Sequence, residues 1–240
     1  MPYVKETCIA GKTKEIRKYY TFRYGVKGEK RNAAYNRTSE CQERININEA
    51  KRKLRRLLNA NFKEGDYLIT GDFRKEERPE DSTALQKEME KFIDRLRYRF
   101  KKNGKELKYI YVKELGKKGA CHFHMVINEC PIKWLQECWK HGGIHVDPLF
   151  TEEYSAIANY FVKYSQKTIE TEGALIGKRY YASRNLKKPV VIKKVMRANR
   201  FRKDIKVEKG YRLLEDSVFY GVSDKTGYEM MSYTMIKDGG

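Results

Sequence analysis

Between Lys108 and Asn128 the chain reads KYIYVKELGKKGACHFHMVIN. Two runs rich in β-branched and aromatic residues, 108–115 and 120–128, flank Gly116, Lys117, Lys118 and Gly119, a connection short enough to force a hairpin. Successive side chains of a strand point to opposite faces, so His122 and His124 share one face and Phe123 takes the other. With a three-residue loop, Lys117 to Gly119 with Gly119 left-handed, Glu114 stands opposite His122 on the histidine face.

Outward from this hairpin the pattern is mixed α and β. Upstream, Asp66 to Phe73 has strand composition, and Leu85, Met89, Phe92, Ile93, Leu96 and Phe100 keep helical spacing until Gly104, with Thr83 and Gln86 as a capping box. Downstream, Pro131 opens a short helix carrying Trp134, Leu135, Cys138 and Trp139. A brief strand, Ile144 to Leu149, then precedes a helix from Thr151 to about Thr168. The order from Asp66 is β-α-β-β-α-β-α, which predicts an α+β fold with a ferredoxin-like (split βαβ) antiparallel sheet and helices packed on it. Three parts follow: a basic N-terminal extension with one helix (1–65), a central domain (66–170), and a C-terminal extension packing on it (171–240). The N-terminal helix, Asn48 to Phe62, sets Leu54, Leu57, Leu58 and Phe62 against a basic outer face with Arg52 and Arg56. The flanks are less regular; segments such as Tyr180 to Val191 suggest further short strands.

Composition bounds the partners. The 240 residues hold 52 Lys and Arg against 32 Asp and Glu, a net charge of +20. So basic a protein attracts polyanions, of which nucleic acid is the commonest. No run approaches the ~18 apolar residues of a membrane span, and the first residues lack the layout of a secretory signal, so a cytoplasmic protein is expected. Five cysteines without a Cys-x-x-Cys pair fit a reducing compartment.

Two imidazoles and a carboxylate, His122, His124 and Glu114, make a ligand set that suits Mg²⁺, Mn²⁺ or Zn²⁺. On the helix from Thr151, Tyr154, Ile157, Ala158, Phe161, Ser165 and Ile169 form an apolar arc that should face the sheet. Along its flank, Tyr160, Lys163, Tyr164 and Lys167 put two phenols and two ammoniums on one edge. A phenol with pKa near ~10 is a poor nucleophile at neutral pH, unless adjacent lysines or a metal stabilise its anion or activate its target.

These residues resemble a known family, the HUH endonucleases that initiate rolling-circle replication. His122-Phe123-His124 is similar to their metal motif and Tyr160-Phe161-Val162-Lys163 to their Tyr-x-x-Lys nucleophile motif, in the right order. Tyr164 extends the latter as in two-tyrosine initiators of small phages. The strand Tyr67 to Phe73 is similar to their first motif, with Gly71 where Leu is usual. The flanks look like those of initiators from mobile elements of Gram-positive bacteria, so a phage, plasmid or integrated element in a bacterial host is implied.

The resemblance implies the HUH fold and transesterification at a single-stranded origin or hairpin. Tyr160 would form a 5′-phosphotyrosyl bond, and the 3′-hydroxyl released would prime synthesis by a DNA polymerase. Mg²⁺ or Mn²⁺ on Glu114, His122 and His124 would activate the phosphate, and Lys163 would orient it or steady the phenolate. Tyr164 would act as second nucleophile. The chain is short for the fused helicase of larger initiators, so a separate host helicase is expected to open the duplex, and from their charge Lys167, Arg52, Arg56, Arg97, Lys101 and Arg184 are expected to contact DNA. The basic runs at Lys51 to Arg56, Arg95 to Lys102 and Lys193 to Lys203 predict salt-dependent binding. Gly11-Lys12-Thr13 lacks the earlier glycine of a P-loop.

Other readings stay open. One is a non-catalytic single-strand binder whose sheet stacks bases; another is an HUH transposase. A third takes Cys130, Cys138, His141 and His145 as a structural zinc site of irregular spacing.

Overall fold

The computed structural model describes residues 2–21, 39–115, 120–172, 178–224 and 226–239, with backbone alone at 115 and 167–172. In chain order the elements are β1 (Val4–Ala10), β2 (Thr13–Tyr19), α1 (Glu40–Asn61), β3 (Tyr67–Asp72), a 3₁₀ turn (Lys75–Glu77), α2 (Ser82–Lys102), β4 (Tyr109–Leu115) and β5 (Cys121–Ile127). There follow α3 (Ile132–Cys138), β6 (Ile144–Pro148), α4 (Ser155–Glu172), β7 (Tyr181–Ala182), β8 (Val190–Val195), β9 (Tyr211–Val222) and β10 (Glu229–Lys237). Among the described residues no helix is long and apolar enough to cross a membrane.

The chain divides into two compact units, Leu57–Lys187 and a flanking unit built from Met1–Arg56 together with Lys188–Gly240. This redraws the boundaries read from sequence at residues 65 and 170. The two extensions are not separate appendages, because β1 pairs with β8 and β2 with β10, strand to strand.

In the central unit the sheet order is β6-β3-β5-β4-β7, with every pair antiparallel. Strand β5 lies between β3 and β4, which gives the split βαβ arrangement expected. Helix α2 begins at Asp81, whose carboxylate accepts from the Ala84 N–H, so the cap lies two residues before the Thr83 expected. Its Leu85, Met89, Phe92, Ile93, Leu96 and Phe100 are buried against Ile69, Phe123, Met125 and Ile127 of the sheet, with Leu135 and Trp139 completing the layer. The sheet's other face carries α4, which packs along β4.

Gly71 is required by this packing. It stands opposite Phe123 in the ladder, and a Cβ there would lie 2.0 Å from Phe123 Cε1. The phenyl ring occupies the space a leucine side chain would need, and only glycine lets backbone and ring approach so closely.

The flanking unit holds a second antiparallel sheet, β8-β1-β2-β10-β9. One face buries Ile16, Met231, Tyr233 and Met235 with Tyr3 and Phe201. The other presents Glu6 and Glu15, and Arg56 of α1 reaches both, with Nη2 donating to Glu6 Oε1 at 2.6 Å and Nε to Glu15 Oε2 at 2.7 Å. Burial pushes the Glu6 carboxyl up, but Arg56, Arg17 and Lys193 outweigh it and hold the group at about 2. These inward carboxylates break the apolar alternation of a half-buried strand, which is why β1 and β2 escaped the sequence reading. They also correct the expected basic outer face of α1: Arg56 is 8 % exposed, Arg55 pairs with Glu15 at 2.8 Å, and Arg52 pairs with Glu49.

Candidate active site on the histidine face

Strand register fixes the site as three rows across one sheet face. Asp72 pairs with His122 and His122 with Glu114, as the hairpin arithmetic expected, although loop residues 116–119 lie outside the described residues. The next row runs His145, Thr70, His124, Val112, and the third runs Asp147, Leu68, Val126, Ile110. Sequence reasoning missed Thr70, Asp72 and the placement of His145 and Asp147. Alternation along β3 puts Leu68, Thr70 and Asp72 on one face, a signal present in the sequence but ambiguous until β3 is known to neighbour β5.

His124 is the centre of the arrangement and is 4 % exposed. Its Nε2 lies 3.1 Å from Glu114 Oε2. Its Nδ1 faces two hydroxyls, Thr70 Oγ1 at 3.0 Å and Tyr160 Oη at 3.1 Å. With Glu114 ionised, Nε2 donates to the carboxylate and Nδ1 accepts, an assignment made from the hydrogen-bond network. Burial lowers the imidazole's pKa from its ordinary value, and the opposing pull of Glu114 is smaller. The ring is therefore neutral at pH 7.

Helix α4 brings both tyrosines to this ring. Tyr160 and His124 meet edge to face with centroids 4.9 Å apart, and Tyr164 lies 4.7 Å from His124 and 4.5 Å from Tyr160. The i, i+4 spacing stacks the two phenols one helical turn apart on the same side. The apolar arc seats them, with Tyr154, Ala158, Phe161 and Ser165 buried. The Tyr160 hydroxyl titrates well above the ordinary phenol range, chiefly from burial, then from the Tyr164 phenol and the carboxylates of Glu114 and Asp147. Lys163 is exposed on α4, and the side chain of Lys167 lies outside the described residues.

The other residues expected to contact DNA are scattered. Arg97 and Lys101 are exposed on α2, which covers the opposite sheet face, and Arg97 pairs with Asp94. Arg184 is exposed in the turn after β7. Arg52 is tied to Glu49, and Arg56 is buried between two carboxylates and has no free surface to offer a phosphate.

The four zinc candidates do not assemble. Cys130 and Cys138 are buried in the apolar core, where burial pushes the Cys130 thiol to about 12. His141 sits between Glu77 at 3.1 Å and Glu88 at 2.8 Å, while His145 contacts Asp147. Among the described residues no group of three or more His, Cys, Asp or Glu side chains is gathered closely enough to hold an ion. Even so, the donors on the histidine face suit one in kind. They are two imidazoles and a carboxylate, with Glu114 and His124 joined to each other by the hydrogen bond described above.

Comparison with known proteins adds one finding. No curated protein and no solved structure matches the chain. The family model of the replication-associated protein ORF2/G2P matches residues 66–169. That span holds Thr70, Glu114, His122, His124, Tyr160 and Tyr164, so the segment built around the two tyrosines is similar to replication-associated proteins, and this supports a replication initiator.

Proposed function

We propose that this protein initiates rolling-circle replication by nicking and rejoining single-stranded DNA through a covalent phosphotyrosine. The observation that carries the reading is the hydrogen bond from Tyr160 Oη to His124 Nδ1, on a histidine whose other nitrogen is held by Glu114. That bond holds the Tyr160 oxygen against the very residues that would position the phosphate, which is the proximity that covalent catalysis requires. In the step, the Tyr160 oxygen bonds to phosphorus and the P–O3′ bond breaks; the phenol gives its proton to solvent water, and the departing O3′ takes one from solvent to become the 3′-hydroxyl. Exposed Lys163 supplies positive charge toward the phosphate. Because the phosphodiester energy is kept in the phosphotyrosine, Tyr164 could attack a regenerated junction and return the strand.

Glu114, His122 and His124 would hold Mg²⁺ or Mn²⁺, which when bound would polarise a non-bridging phosphate oxygen and stabilise the charge that develops there. With the Nε2 lone pair of His124 engaged, its ring hydrogen resides on Nδ1, and His124 then donates to the Tyr160 oxygen instead of accepting from it. That reversal favours the phenolate, which burial otherwise opposes. The physiological partners would be an origin strand or hairpin, a separate host helicase and a DNA polymerase.

The test mixes protein, Mn²⁺ or Mg²⁺ and labelled single-stranded oligonucleotides from the neighbouring intergenic DNA, and follows a conjugate that survives denaturation. Tyr160→Phe should abolish it, while Tyr164→Phe should retain first cleavage and lose strand return. Conjugate from Tyr160→Phe at the wild-type yield would remove the assignment. No conjugate under any metal, alongside intact DNA binding, would leave the non-catalytic binder.

A further inference from the structure

The cationic surplus does not lie with the candidate catalytic residues. The flanking unit carries 28 Lys and Arg against 13 Asp and Glu, whereas Leu57–Lys187 carries 24 against 19, so +15 of the net +20 belongs to the flanking unit. On α1 much of that charge is neutralised by Glu6, Glu15 and Glu49. Among the described residues, a dense run of exposed Lys and Arg lies between β8 and β9.

There, residues 196–209 cross the sheet as a strap without helix or strand. Phe201 is buried beneath it against Tyr3, at 5.5 Å between ring centroids, with Met196 and Ile205 packed on the same core. Side chains of the sheet and its margin hold the strap's carbonyls. Tyr20 Oη donates to Asn199 O at 2.8 Å, Lys18 Nζ to Arg202 O at 2.8 Å, and Tyr220 Oη to Lys203 O at 2.6 Å. Of its carboxylates, Glu208 is engaged by Lys14. Arg197, Arg200, Arg202, Lys206 and Lys209 all point into solvent. An irregular segment is thus fixed in place while its cations face outward, which reduces the ordering needed when they bind.

We infer that this strap is a landing surface for double-stranded DNA, gripping phosphates by charge without reading bases. Guanidinium and ammonium groups are the donors suited to phosphate oxygens. Single strands are instead held by aromatic platforms on which bases stack; the strap's own aromatic residue, Phe201, is buried, and exposed Tyr220 beside it has its hydroxyl tied to the Lys203 carbonyl. The inference goes beyond the nicking reading and does not depend on it.

The test uses the full chain and a fluorescent duplex of about 20 base pairs, with affinity measured by anisotropy between about 50 and 200 mM salt. Arg197→Gln combined with Arg202→Gln and Lys206→Gln should make the log-affinity against log-salt slope shallower by about 0.9 per side chain lost. Affinity at the lowest salt should fall at least ~10-fold. Lysine at 197 and 202 should retain the wild-type slope. Should the triple variant melt early, Lys209→Gln alone gives the readout, a slope change of about 0.9. An unchanged slope in a variant with the wild-type melting temperature would overturn the inference, as would a larger strap-dependent loss for single strands or duplex RNA than for duplex DNA. Tyr160→Phe should bind duplex with the wild-type slope whether or not the wild type forms conjugates, which keeps failure of this inference distinct from failure of the nicking reading.

Discussion

Tyr160 and His124 are joined by a 3.1 Å hydrogen bond between phenol and Nδ1, and Thr70 addresses the same nitrogen from 3.0 Å. A single ring nitrogen with one lone pair cannot serve both hydroxyls fully. Thr70 is therefore placed to keep the ring oriented whenever the Tyr160 bond is broken, as the proposed reaction would require.

If so, Thr70→Val should slow conjugate formation by roughly 10- to 100-fold, the usual effect of losing an orienting partner, while Thr70→Ser should retain most of the rate. Single-turnover cleavage with matched melting curves checks this. A valine variant at the wild-type rate would show that Glu114 alone orients the ring.

The pH dependence follows from His124. Burial lowers its pKa below the ordinary 6.5, so the neutral imidazole persists through neutrality and into mild acid. Cleavage measured against pH should hold through pH 7 and fall only on the acid side of 6.5. An acid limb centred above 6.5 would mean that another group governs the rate.

A separate acid response comes from Glu6, whose carboxyl is held at about 2 against an ordinary 4.5. A depressed carboxylate stabilises the fold above its unfolded pKa and loses that contribution as pH falls through the folded value. Roughly 3 kcal/mol should be lost between about pH 4.5 and 2, on the conversion of ~1.4 kcal/mol per pKa unit. Urea unfolding across that range measures it.

Arg56→Met should destabilise the flanking unit by about 3–5 kcal/mol, because it leaves Glu6 and Glu15 buried without their shared partner. Adding Glu6→Gln and Glu15→Gln should recover much of the loss. Thermal unfolding of the single and triple variants decides between this and a surface role for the arginine.

Gly71→Ala should cost about 1–3 kcal/mol through overpacking, since the new methyl would meet the Phe123 ring at 2.0 Å. Replacing Phe123 with Leu in the same chain should relieve part of the clash, and a non-additive pair of melting temperatures would show it.

The central unit was legible because its signals are apolar and local. Helical spacing from Leu85 to Phe100 and alternation from Cys121 to Ile127 each name their own element, and the short hairpin sets Glu114 opposite His122. What stayed hidden depended on distant partners. Glu6 and Glu15 face inward only because Arg56 meets them from 50 and 41 residues away, and the same pairing made Arg56 look like a surface cation. Thr70 entered the site through the order of strands, which no local pattern contains.

One turn of α4 sets two phenols around a single imidazole, with all three rings within 4.9 Å of one another by centroid. His124 Nδ1 bonds the Tyr160 hydroxyl, while Tyr164 packs against the ring itself. The two phenols are thus unequal at one ring, so chemistry run by this pair would begin with the bonded one, and the helix pitch rather than any moving part would keep the order.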